Sequence, residues 1–236
     1  MSEAGGDVMK KRNILVTALA SVLLVALTGS IYAYLSDKDD SENKIIVAEN
    51  KVEIIENFPD PEVQKNGVNK YTKEISIKNT GNTDAYVRVY LDFANSEMAK
   101  RAFLSLDDEN ADTIEYYPFI SGADAPESEE GTRFNTETFQ NAVEQLTKSP
   151  VEDTAYWTYN TNDGYFYYTG KIGAGMETEH LMKRVLIYNK TSPIHDVDIY
   201  VYAESVQTVD KDGNAYNNYQ SAWDDYVNKG GEEDNP

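Results

Sequence analysis

The sequence predicts an all-β protein built as one antiparallel sandwich, and three observations carry that prediction. Residues 71–78 and 85–93 alternate apolar and polar side chains with a period of two, the pattern of a strand with one dry and one wet face. Two aromatic runs, 156–159 and 165–168, flank a short Asn/Asp/Gly segment, which reads as a hairpin. The 18 tyrosines add a residue type that favours strands and tolerates half-burial.

The first alternating segment places Tyr71, Ile75 and Ile77 on one face and Thr72, Glu74, Ser76 and Lys78 on the other. Asn79, Thr80, Gly81 and Asn82 then make a turn. The second segment points Ala85, Val87, Val89, Leu91 and Phe93 inward and Tyr86, Arg88, Tyr90 and Asp92 outward. Short apolar runs at 45–47 and 52–55 read as strands ended by Pro59 and Pro61. Closing strands are expected at 183–188 and 197–209, the latter with Val197, Ile199, Val201 and Ala203 inward.

The middle of the chain breaks this rhythm. Residues 96–104 and 136–146 have helical spacing, with Phe139, Val143 and Leu146 on one face and Thr136 placed to cap. Residues 94–150 therefore read as a helical and loop insertion in a sandwich spanning 34–209. Residues 210–236 form an acidic tail in which Tyr216, Tyr219, Trp223 and Tyr226 recur at the spacing of a short docked helix.

The first 33 residues read as a signal helix. Lys10, Lys11 and Arg12 precede an uncharged run from 13 to 36, whose apolar stretch ends in small residues. Cleavage between Ala33 and Tyr34 is the preferred reading. A retained membrane anchor is the alternative, because the run is long enough to span a bilayer. Either way, the basic flank places the remainder outside the cell.

Charge and composition exclude several function classes. The chain carries −20; residues 1–33 hold three basic and two acidic residues, so their removal leaves −21. Such a surface repels nucleic acid and anionic lipid. Without cysteine there is no thiol chemistry, no thiolate metal site and no disulfide, so the core must supply stability. No G-x-S-x-G elbow, P-loop or H-E-x-x-H occurs. The two histidines are His180 and His195, and Glu179 beside His180 lacks the one-face geometry of a zinc peptidase. Asp210, Asp212 and Asn214 open like a calcium loop but lack its length and terminal Glu, so an ordinary turn is the better reading. No cofactor is expected. The outward tyrosines Tyr86, Tyr90, Tyr200 and Tyr202 mark either an interface or cross-strand pairs that stabilise the sheet.

The junction Thr28-Gly29-Ser30-Ile31-Tyr32-Ala33-Tyr34-Leu35-Ser36-Asp37 resembles that of bacterial proteins processed by the SipW-type signal peptidase, a group that includes TasA-like matrix fibre subunits and camelysin. Residues 75–89 resemble the strand-turn-strand unit of this family and 197–207 its final strand. Residues 173–181 resemble its P-G-x-x-T loop, with Ala174 in place of the proline.

The resemblance implies a jelly-roll-like sandwich in extracellular fibres, with itself or related matrix subunits as partners and a dedicated signal peptidase. It also implies that a freed N-terminal segment, Ile45, Ile46 and Val47 included, adds as a strand to the next subunit. Camelysin suggests a second expectation, a surface metallopeptidase using Glu179 and His180, although no metal motif supports it. A third is a monomeric surface adhesin that binds through the insertion.

Overall fold

The computed structural model describes residues 51–57, 67–94, 96–128, 130–188 and 199–230. The chain divides into two compact units, residues 1–47 and 48–236, and every described residue belongs to the second. The signal segment, Ala33, Tyr34 and the donor candidates Ile45, Ile46 and Val47 lie outside the described residues. Among those described, no helix is long and apolar enough to cross a membrane.

In chain order the elements are β1 (Val52–Asn57), β2 (Val68–Asn79), β3 (Ala85–Phe93), α1 (Ser96–Ala99), β4 (Ala102–Ser105), β5 (Ile114–Pro118), β6 (Thr132–Phe134), α2 (Phe139–Thr147), β7 (Trp157–Asn160), β8 (Tyr165–Tyr168), β9 (Met182–Tyr188), β10 (Ile199–Gln207) and α3 (Tyr219–Gly230). They form a six-stranded sheet ordered β1-β2-β9-β4-β5-β6 and a four-stranded sheet ordered β10-β3-β8-β7. The pairing is antiparallel except between β5 and β6. The protein is thus mostly β, in two sheets, as the alternation predicts.

One apolar core joins the two sheets. Ile75 and Ile77 of β2, Leu104 of β4 and Val185 and Ile187 of β9 share a buried cluster with Val87, Val89 and Leu91 of β3 and Trp157 and Phe166 of the β7–β8 hairpin. The inward set expected for residues 85–93 is fully buried. Ile199, Val201 and Ala203 of β10 pack against the same cluster from its margin.

Two short devices hold the sheets in register. Asn79, wholly buried, donates through Nδ2 to the carbonyls of Thr83 at 2.7 Å and Ile172 at 2.8 Å. Its Oδ1 accepts from Gly81 N at 2.9 Å, closing the turn between β2 and β3. The segment before β9 then runs beside β2. Thr178 N donates to Ile77 O, and Thr178 Oγ1 accepts from Ile77 N at 3.0 Å. Buried Thr178, from the loop that resembles the P-G-x-x-T motif, thus stands in for a ladder partner where regular pairing has lapsed.

The central region corrects one expectation. The helical spacing at 96–104 yields a helix only over Ser96–Ala99, and Ala102–Ser105 is a strand between β9 and β5. Ala102 and Leu104 face the sandwich core, whereas Phe103 packs outward with Tyr116, Leu186 and Phe134. A strand buried on both faces loses its alternation and cannot be told from a helix by period alone. Residues 94–150 therefore supply β4, β5 and β6 to the larger sheet and are not a helical excursion from it. The second helix forms as expected, with Phe139 and Val143 buried, but Thr138 caps it instead of Thr136.

Candidate functional site

The most distinctive chemistry lies on the outer face of the four-stranded sheet. Strand register places Glu204, Arg88, Tyr167 and Thr158 in one row across β10, β3, β8 and β7. The next row on the same face is Tyr202, Tyr90, Tyr165 and Asn160. Period two fixes this, because i and i+2 share a face on every strand. The helix α3 covers part of these rows. Its Ala222 and Trp223 form a second apolar cluster with Tyr86, Tyr167 and Val206.

Arg88 is the centre of this cluster. Its guanidinium lies 4.1 Å from the ring centroid of Tyr165 and 4.3 Å from that of Trp223. Its Nε donates to Glu204 at 2.6 Å and its Nη1 to the Tyr167 hydroxyl at 3.1 Å. Asp163, from the β7–β8 turn, stands 3.7 Å away. Burial disfavours the charged guanidinium, but the hydrogen bonds to Tyr167 and Glu204 outweigh it and push its pKa upward. A planar, delocalised cation suits both the flanking rings and the carboxylate.

One tyrosine bonds within the hairpin beneath α3 and another ties α3 to its lead-in. Tyr167 donates to Asp163, and burial followed by that bond raises its pKa to about 12. Tyr216 donates to Asp225 of α3, and burial followed by that bond likewise raises its pKa to about 12. An unfolded tyrosine ionises near 10, so between pH 10 and 12 the folded state binds more protons and stability falls as pH rises. Alkaline unfolding followed by circular dichroism is expected to steepen in that window. The double variant Tyr167→Phe, Tyr216→Phe should flatten it; an unchanged slope would contradict this assignment.

The expected row of outward aromatics is only partly exposed. Tyr86 is buried at 2% exposure because α3 lies over it, and Arg88 is buried for the same reason. Tyr90, Tyr200 and Tyr202 remain open, the last two by more than half. The hydroxyls of Tyr90 and Tyr202 donate to Asp92 at 3.3 Å and Glu204 at 3.1 Å. These pairs within one strand orient the exposed rings toward fixed carboxylates.

The other candidates separate. Asp210 Oδ1 accepts from the backbone N–H groups of Asp212 and Asn214, both at 2.9 Å, and Asn214 Nδ2 lies 3.1 Å from Asp210 Oδ2. The Asp210 carboxylate is thus the hub of a turn closed by Gly213 at φ 84°. That arrangement is a turn in which an Asp side chain accepts from the backbone two and four residues on. Glu179 is exposed and His180 half-buried in the segment before β9. The backbone carbonyl of Glu179 accepts the indole N–H of Trp157 at 2.9 Å. Among the described residues no group of three or more His, Cys, Asp or Glu is placed to hold a metal ion.

Sequence reasoning did not single out Arg88. The available signal was a lone arginine on the outward face of a tyrosine-rich strand, together with a distant aromatic run at helical spacing. No family model, curated protein or solved structure matches this chain.

Proposed function

We propose that this protein is an exported structural subunit of an extracellular matrix or cell-surface fibre, with a jelly-roll-like sandwich that polymerises by strand addition after its apolar leader is removed. The observation that carries the reading is the sheet architecture of the described residues, taken with the sequence of the leader-proximal segment. The six-stranded sheet ends on β1 among the described residues, and residues 34–47 lie four residues before that strand in sequence. A terminal strand is where an added strand joins, through backbone hydrogen bonds that demand little of side-chain identity. The family resemblance at the leader junction supports export. The strong negative charge suits a subunit held apart from its neighbours until strand exchange brings them together.

The test is negative-stain electron microscopy of three purified chains across salt and pH. Residues 34–236 are expected to form filaments. The full chain should not, and neither should a chain beginning at residue 48. Monomers alone from residues 34–236, or filaments that persist without residues 34–47, would overturn the proposal.

A further inference from the structure

The hairpin β7–β8 and the helix α3 enclose a cleft of about 270 Å³ on the outer face of the four-stranded sheet. This is near the small end of ligand-pocket sizes, about 300–1,000 Å³, and suits one ring-sized group with the rest of a chain left in solvent. Thr158 and Asn160 line it from β7, and Tyr219, Gln220, Trp223 and Asp224 line it from α3. The wall is folded rather than flat. Tyr167 meets Trp223 edge-on at 85°, and meets Tyr219 at 41°, each at 5.8 Å between centroids.

We infer that this cleft binds a neutral, β-linked glycan. Three features select that chemistry. Hydroxyl and amide side chains offer donors and acceptors together, which suits sugar hydroxyls that are both. The half-buried ring of Tyr219 beside them suits the apolar C–H face of an all-equatorial sugar ring, and β-linkage presents such faces along an extended chain. The Trp223 indole N–H is also buried without an acceptor among the described residues. A buried unpaired donor is costly, and one in a cleft wall points to an acceptor supplied from outside.

Charge narrows the ligand further. None of the lining residues is basic, so a phosphate or uronic acid finds no countercharge, and the chain's −20 repels it. Asp224 is exposed, so it is no buried seat for a cation. The inference does not depend on polymerisation, because the cleft lies within one chain.

The test is titration of the full chain, kept in a sugar-free zwitterionic detergent, with cellotetraose and with chitotetraose. Calorimetry and tryptophan emission provide two readouts. At least one sugar is expected to bind and to change the emission of Trp223; Trp157, the other tryptophan, is sealed in the core. The variant Gln220→Ala, Asp224→Ala alters two exposed helix positions, so its melting temperature should match the parent. Its affinity should fall by at least about tenfold. Three outcomes would overturn the inference: no binding of either sugar, equal affinity in the variant, or binding of polylysine alone.

Discussion

Replacing Arg88 with methionine is expected to lower the unfolding free energy by about 3 kcal/mol, measured by urea unfolding. The side chain is 9% exposed and lies between two rings, a phenol and two carboxylates. Its removal strips the counterion from Glu204, which lies 2.5 Å from Nη2, and leaves the Tyr167 hydroxyl without its donor. Breaking a buried pair from one side costs about 3–5 kcal/mol, and the lower end applies because Glu204 keeps some access to water. Methionine retains much of the stem packing, so the loss reports charge and cation–π contact more than a void. Arg88→Lys should fall between parent and methionine, since an ammonium cannot present the same planar fork to Glu204 and the rings. The double variant Arg88→Met, Glu204→Met should recover much of the loss, because no carboxylate is then stranded at that position. A loss below about 1 kcal/mol for Arg88→Met would place the cluster among weak surface pairs instead.

The second large effect is expected at Trp157. Its side chain is wholly buried, packs with Tyr168 at 5.2 Å between ring centroids, and donates its indole N–H to Glu179 O. Its backbone also accepts from and donates to Thr147 Oγ1, which seals the outer edge of β7 against α2. Trp157→Ala should cost about 3–5 kcal/mol through lost burial and the cavity left behind. Trp157→Phe keeps a ring but strands the Glu179 carbonyl, at about 1–3 kcal/mol. Hydrogen exchange distinguishes the two contributions. In Trp157→Phe, faster exchange should concentrate near residues 179–181, whereas Trp157→Ala should loosen both sheets. Uniform exchange in both variants would show that the indole bond does not anchor that segment.

Both residues illustrate how far the sequence could be read. Trp157 belongs to an aromatic run whose partner strand and turn were legible, so the hairpin was predictable from residues 156–168. Gly164 at φ 79° and the Asn160 and Asp163 side chains that accept from Asn162 N and Tyr165 N follow the turn chemistry expected there. The helix over Tyr219–Gly230 was similarly legible from aromatic spacing. Arg88 was placed correctly on the outward face of its strand, yet that face is not wet. Its burial comes from a helix more than 130 residues further along the chain, which no local pattern reports.

The sequence by itself determined the inward faces of β2 and β3, the turn at Asn79, the hairpin and the amphipathic run in α3. Each follows from a short-range period or from turn chemistry that acts over a few residues. Only the tertiary structure decided that residues 102–105 are a strand, that Tyr86 and Arg88 are covered while Tyr200 and Tyr202 are not, and that Thr178 completes a ladder beside Ile77. Those outcomes depend on which distant segment lies against a given face, and a continuous apolar run or an outward tyrosine looks the same in sequence whether that neighbour is protein or water.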